Sequence, residues 1–365
     1  VSSDSLHVLG SRQFGGADQF YVRLVEALNE QGHRAAAVNR PGSPVAGALT
    51  ASGTQQHHLP LANKWDLASA LRLRALVRRL QPAVVQTYMG RATRLTRLPR
   101  RGRTVHVARL GGYYKIRGYY EHAHAWVGNT RGVCDYLVRE GLPADRVFRI
   151  GNFVPEPAPV TAGELAALRA SLGISTDAWV LFTLGRFIDI KGFDDLLYAL
   201  ALLPEAPGGR PVHLLIAGDG PLAGALRAQC AALGLEGRVH WLGWQNHPSR
   251  YFSLADVMVC PSRHETLGNV ILEGWSHHRP VVSTTTPGGL ELIEADVNGL
   301  LCPVRNPAAL AARLQTLLEA PAAQRQALAD AGRATVERHH RRPAVVQAYL
   351  DLYAELVARR RQGRA

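Results

Sequence analysis

The stretch FVPEPAPVTAG (153–163) decides how this chain is built. Three prolines lie within five residues of it. Each fixes φ and lacks an amide donor, so neither a helix nor a strand runs through. Ahead of it, LHVLG (6–10), RAAAVN (34–39), AVVQTY (83–88), TVHVARL (104–110), HAWVGN (124–129) and VFRIGN (147–152) read as strands. Helices are predicted over 17–33, 65–82 and 129–141; in the first, Phe20, Leu24, Ala27 and Leu28 recur at helical spacing. Behind it the rhythm restarts. WVLFTLG (179–185), PVHLLIAGDG (211–220), RVHWLG (238–243), ADVMVCPS (255–262) and PVVSTT (280–285) read as strands, with helices over 192–204, 221–235, 310–320 and 343–361. Strands alternating with helices imply parallel sheets joined by crossover helices. Two such runs imply an α/β chain of two doubly wound domains, with ligands beyond the carboxyl ends of the strands.

The 365 residues suit two domains of ordinary size. No apolar stretch approaches the roughly 20 residues that span a bilayer, and residues 1–16 show no basic-then-apolar leader pattern. Cys134, Cys230, Cys260 and Cys302 match no metal or disulfide spacing, so reduced cytosolic thiols are expected. The net charge of +13 is concentrated: residues 1–153 hold 22 Lys and Arg against 9 Asp and Glu, and residues 154–365 hold 20 against 20. Residues 72–103 contain ten arginines and no acid. Such a face attracts polyanions, whether nucleic acid, anionic lipid or phosphorylated glycolipid, unless it merely reflects free use of arginine. The helix over LRLRALVRRL, with leucines 71, 73, 76 and 80 between arginines, favours docking on a membrane surface.

The chemistry concentrates in ETLGNVILEGWS, which follows the strand DVMVC. A helix predicted from about Leu267 to His278 would offer the backbone amides of Leu267, Gly268 and Asn269 to an anion. Glu265 and Glu273 stand eight residues apart, about 80° past two full turns, so they share a broad side of that helix. Two carboxylates beside one anion repel it unless each accepts a neutral hydroxyl. A nucleoside diphosphate sugar has hydroxyls on both sides of its pyrophosphate. Arg186 comes straight after a strand and Lys191 five residues on, cations suited to a diphosphate. Gly185, Gly218 and Gly220 lie at strand ends of the same half, where a donor would approach the backbone, and Gly15 and Gly16 lie at the first strand-to-helix corner of the other, where backbone amides would meet the phosphate from across the cleft. YYKIRGYY (113–120) combines aromatic rings with cations, which suits sugar stacking or a nucleic-acid surface. The histidines at 57–58, 122, 124, 277–278 and 339–340 find no third ligand at usable spacing, so no metal is expected.

The order Gly-Gly corner, G-R-x4-K, G-x-G-P, then E-x7-E resembles the retaining GT-B glycosyltransferases of glycosyltransferase family 4. The resemblance spans nearly the whole chain and is most specific over 179–303. It implies a GT-B fold: two Rossmann-like domains facing across a cleft, 1–153 binding the acceptor and 154–342 the donor, with helix 343–365 crossing back to the first. It implies a nucleotide-sugar donor (a UDP-sugar foremost), no other cofactor, no metal, and retention of anomeric configuration. By the same resemblance Arg186 and Lys191 would bind the pyrophosphate, Glu265 the donor sugar and Glu273 the ribose. The amides of 267–269 would lie near phosphate or sugar, and the turn at Gly243–Trp244–Gln245 near the base. The family often has a histidine just after a central strand of the first domain. Here His106 falls inside TVHVARL and Arg109 nearer its end, so Arg109 is read as the residue facing the cleft.

The expected function is transfer of a sugar to an anionic glycolipid or oligosaccharide acceptor, in lipopolysaccharide core or capsule synthesis. The expected location is cytoplasmic, peripheral to the anionic inner face of the membrane, with nucleic acid not a partner. The rival readings are a non-hydrolysing NDP-sugar epimerase, a sugar phosphorylase and a basic nucleic-acid-binding protein.

Overall fold

Strands covered by helices on both faces carry apolar side chains on both faces, and the strands of this chain do so. A computed structural model describes residues 4–99 and 102–362. These residues form two units: one takes the chain up to Phe153 together with the residues from Arg341 on, the other Val154–His340.

In the first unit the elements run β1 (Ser5–Leu9), α1 (Gly16–Glu30), β2 (Ala35–Asn39), α2 (Pro44–Ala51), β3 (Gln56–His58), α3 (Leu67–Leu80), β4 (Val84–Tyr88), α4 (Met89–Leu95), β5 (Val105–Leu110), β6 (Ala125–Gly128), α5 (Arg131–Arg139) and β7 (Val147–Arg149). The strands pair in parallel in the order β3-β2-β1-β4-β5-β6-β7. The apolar stripe of α1 is buried as its spacing requires, from Phe20 to Leu28. The start of α3 is set by Asp66, whose Oδ1 accepts the Ser69 amide at 2.9 Å.

The second unit runs α6 (Ala162–Ser171), β8 (Trp179–Leu184), α7 (Phe193–Leu202), β9 (Val212–Ala217), α8 (Ala223–Ala232), β10 (Val239–Gly243), α9 (Ser249–Leu254), β11 (Val257–Cys260), α10 (Asn269–Ser276), β12 (Val281–Thr284), α11 (Pro287–Leu292), β13 (Leu300–Cys302), α12 (Pro307–Glu319) and α13 (Ala322–His339). Its sheet is parallel in the order β10-β9-β8-β11-β12-β13. The chain order reverses between β1 and β4 in one sheet and between β8 and β11 in the other. A crevice opens beyond the carboxyl ends at such a reversal.

The last helix, α14 (Arg342–Arg361), belongs to the first unit. Its Val345, Val346, Tyr349, Leu352, Tyr353 and Leu356 join the core around Phe20, Leu24, Val84 and Val107. The Tyr353 hydroxyl donates to Gln86 Oε1 at 2.8 Å.

Several elements have no counterpart in the sequence reading. Helices α2, α4, α9 and α11 are each eight residues or shorter, so a periodic stripe barely repeats. Helix α13 is long but buries only Leu328, Ala329, Gly332 and Val336. It comes close to α10 through Gly332, where a Cβ would lie 2.2 Å from Trp275 Cδ1. A contact made with small residues leaves no leucine stripe to read.

Candidate active site

Neighbouring strands bring their following loops together, and β8 and β11 are neighbours across the reversal in the second sheet. The loop after β8 carries Gly185, Arg186 and, at the end of a short 3-10 turn (Asp189–Lys191), Lys191. The loop after β11 carries Ser262, Arg263 and Glu265. The two loops are stitched backbone to backbone: the amides of Arg263 and His264 both donate to Ile190 O, at 2.8 and 3.2 Å. Gly192 follows in left-handed backbone (φ 63°), and a Cβ there would stand 2.2 Å from Pro261 O. Only glycine admits this approach.

The Lys191 ammonium donates to Glu265 Oε1, which also accepts from Ser262 Oγ at 2.9 Å. The side chains of Lys191 and Glu265 are 22% and 14% exposed. Burial alone would depress the Lys191 pKa. The adjoining Glu265 carboxylate more than offsets it, and the pKa stands above the ordinary lysine value. Lys191 is therefore a fixed cation at the switch point. The Glu265 carbonyl accepts the Gly288 amide at 2.8 Å, which ties α11 to the same loop.

Arg263 was not singled out by the sequence reading. Its guanidinium donates through Nε to Asp195 at 2.9 Å, through Nη1 to Asp189 at 2.5 Å and through Nη2 to Asp194 at 2.6 Å. Its side chain is 9% exposed. The hydrogen bond to Asp195, then burial against it, then Asp194, leave the guanidinium pKa raised. The signal was present in DIKGFDD, where three acids around Lys191 demand a cation. Arg263→Ala is expected to lower stability by about 2 kcal/mol, discounted because Asp189 and Asp194 are substantially exposed. Arg263→Lys should recover less than half, since an ammonium cannot fork across three carboxylates. Denaturant titration of the three proteins checks this.

The remaining expected site residues fall as follows. Arg186 is exposed beside Gly185, and Glu273 is half-buried in the second turn of α10. Helix α10 begins at Asn269 behind an N-cap at Gly268, not at Leu267 as expected. Leu267 is a buried side chain whose backbone is pressed against Gly288, where a Cβ would lie 2.5 Å from Leu267 O. The first helical amides are thus those of Asn269 and Val270. Gly218 is required by close packing: a Cβ there would lie 1.9 Å from Gly185 O. Gly243 ends β10, followed by Trp244, which is 52% exposed.

One expectation for the first unit is corrected. Arg109 is 2% exposed and built into the core of its own unit. It donates to Asn152 Oδ1 and, at 3.2 Å, to Tyr349 Oη, and its guanidinium lies 4.0 Å from the Phe20 ring centroid. Strand β5 is covered there by α14, which turns this end of the strand inward. At the Gly15–Gly16 corner the Gly15 amide is already engaged, donating to Asp18 Oδ2 at 2.8 Å. His106 is a buried strand histidine sharing a 3.0 Å hydrogen bond with Thr87 Oγ1. Among the described residues no three His, Cys, Asp or Glu side chains gather into a metal site.

The comparisons with known proteins agree across the chain. The family described as Glycosyl transferases group 1 matches residues 178–320, and Glycosyltransferase Family 4 matches residues 14–156. The lipopolysaccharide core biosynthesis glycosyltransferase LpsE of Rhizobium meliloti is 32% identical over 93% of this chain and 96% of its own length. A crystal structure of a glycosyltransferase from Rickettsia africae superposes with a TM-score of 0.86 at 18% identity, covering 98% of this chain and 99% of that one. That of Anabaena Alr3699/HepE, in complex with UDP and glucose, gives 0.83 at 18% identity, over 96% and 99%. The fold is that of the GT-B glycosyltransferases.

Proposed function

We propose a specific reaction for this chain, which belongs to glycosyltransferase family 4: transfer of a sugar, with retention, from a nucleoside diphosphate sugar to an anionic glycolipid or oligosaccharide of lipopolysaccharide type. The observation that carries it is the Lys191–Glu265 pair at the switch point between β8 and β11. Lys191 and Arg186 face the diphosphate, Glu265 accepts hydroxyls of the donor sugar, and Glu273 those of the ribose. Trp244 stacks on the base, and the amides at the start of α10 complete the anion site. As the C1–oxygen bond to the diphosphate breaks, the cations stabilise the charge on the leaving oxygen. The acceptor hydroxyl bonds to C1 on the same face and gives its proton to the departing phosphate oxygen. The positive charge comes from side chains, so the reaction runs without a metal ion. UDP is the expected nucleotide, in keeping with the UDP held by the Anabaena protein of like fold. The relation to LpsE supports a lipopolysaccharide acceptor. That acceptor places the work at the inner face of the membrane.

Thermal shift against UDP-, GDP- and ADP-sugars tests the donor. A UDP-sugar at 100 times its Kd should add about 2.7 kcal/mol of stability. Glu273→Ala should abolish that shift, and an unchanged shift removes the ribose role of Glu273. Conversion of the donor to another sugar nucleotide with no acceptor present would mean an epimerase instead.

A further inference from the structure

The first sheet has its own reversal, between β1 and β4, and three arginines stand at the strand ends around it. Arg12 lies three residues past β1, Arg40 directly follows β2, and Arg91 is the third residue of α4, which follows β4 without a break. Arg40 Nη1 and Arg91 Nη1 donate to one carbonyl, Leu61 O, at 2.9 and 3.1 Å. Arg91 Nη1 also donates to Gly10 O at 3.1 Å, two residues before Arg12. A Cβ at Gly10 would stand 3.4 Å from both Arg91 Cδ and Leu61 Cβ, so the glycine leaves the room that Arg91 fills.

Holding these cations together is costly. Burial, then the charges of Arg12 and Arg91, depress the Arg40 pKa. Asp66 opposes them, but its oxygens already accept from the amides of Ala62 and Ser69 and from the Ser69 hydroxyl. It is the only acid from residue 31 to 120. Among the described residues none of the three arginines forms a salt bridge. The backbone is strained at the same place. Leu61 and Met89 are left-handed, at φ 43° and 64°, a region that bulky side chains avoid. The turn at Leu61 presents the shared carbonyl, and the turn at Met89 starts the helix that carries Arg91. Strain of this kind clusters at ligand clamps.

We propose that Arg12, Arg40 and Arg91 bind a phosphomonoester on the acceptor sugar, beyond the carboxyl ends of β1, β2 and β4. A guanidinium presents a planar fork of donors that matches phosphate oxygens. The crevice at a sheet's reversal is where such a fold takes ligands. A phosphomonoester brings three acceptor oxygens and nearly two charges at neutral pH. A carboxylate or a phosphodiester brings two oxygens and one charge, too little for three forks. The proposal rests on the reading of an anionic acceptor, and it names the anion.

Calorimetric titration of the full chain with glucose 6-phosphate, with UDP held in excess, tests it. Glucose 6-phosphate should bind and glucose should not, and salt should weaken the binding. Arg12→Gln should weaken it about tenfold, through loss of one charge-assisted fork. Arg40→Lys keeps the charge but loses the fork, and should weaken it as well. Arg12 is exposed, so Arg12→Gln should not lower the melting temperature of the ligand-free protein. A structural role would lower it. Failure of glucose 6-phosphate to bind overturns the proposal, as does equal affinity for glucose, or equal affinity in the parent and both variants. Displacement of glucose 6-phosphate by UDP would put it at the diphosphate site and equally overturns it. Inorganic phosphate that binds as tightly as glucose 6-phosphate assigns the arginines to free phosphate, against the acceptor. Binding of glucose 6-phosphate by a protein that takes no UDP supports the arginines and counts against the donor reading alone.

Discussion

Lys191→Met should lower the rate of sugar transfer by about 10²–10³-fold, the loss found when one preorganised donor to a developing oxyanion is removed. The expectation follows from where Lys191 sits. It closes a 3-10 turn beyond β8, the carbonyl of Ile190 just before it is tied to the loop after β11, and its charge is maintained by Glu265 despite burial. The ammonium therefore needs no reorganisation as charge develops on the leaving group. Loss of the lysine also strands the Glu265 carboxylate, and breaking a buried pair costs stability in its own right. The two effects separate in a double variant. Lys191→Met with Glu265→Gln removes both charges, keeps the Ser262 hydroxyl in contact with a carbonyl oxygen, and should recover most of the lost stability. It should recover none of the transfer rate. Steady-state kinetics beside denaturant titration reads both, and transfer by Lys191→Met within tenfold of the parent would remove the lysine from the reaction.

Between pH 7.5 and pH 5 the first unit should lose about 6 kcal/mol of stability. Three of its histidines are buried neutral. Burial, with His33 adding to it, lowers the His7 pKa to about 3. Burial, then His122 and His124, lowers that of His106 far below the ordinary value. Burial, then Arg360, Arg146 and His122, lowers that of His124 to about 4. The unfolded chain takes up these protons near pH 6.5 and the folded chain refuses them. Stability is therefore full above pH 6.5 and falls as the pH drops toward the folded values. At pH 5 each histidine contributes about 2 kcal/mol of that loss. Asp18 and Glu26, whose pKa values burial raises, oppose the trend as acid is added. A loss of 6 kcal/mol is comparable to the whole stability of many domains. Urea titration at the two pH values measures it, and His106→Asn should flatten the slope by about a third. A midpoint that does not move over this range would contradict the buried neutral histidines.

What could be read from the sequence was whatever repeats or punctuates. The apolar runs of β8, β9 and β11 announce buried parallel strands, and the prolines after Phe153 mark the boundary between units. The cations after β8 and the E-x7-E spacing after β11 fall at two strand ends that the sheet makes neighbours. Contacts across the sheet could not be read this way. The start of α10 was misplaced because Gly268, in left-handed backbone, delays the helix past Leu267. Arg109 was placed by its position in a strand, whereas its burial is decided by Tyr349, 240 residues away. The acids of DIKGFDD asked for a cation, but nothing local named Arg263, since its partners lie far back in the chain, Asp189 in the 3-10 turn and Asp194 and Asp195 in the first turn of α7. Gly218 looked like a ligand's glycine, and only the position of Gly185 O reveals a packing need.

The ownership of α14 has a consequence for how the protein is made. The second unit is one unbroken length of polypeptide, Val154–His340, and all of its strands are available once that length has emerged. The first unit is not so placed: six apolar side chains of its core arrive only with residues 345–356. During synthesis the half translated first must wait, with the floor beneath β4 and β5 missing, while the half translated second completes itself. Order of birth and order of maturity are reversed on the ribosome, and a nascent chain halted before residue 341 carries one finished globule behind an open one.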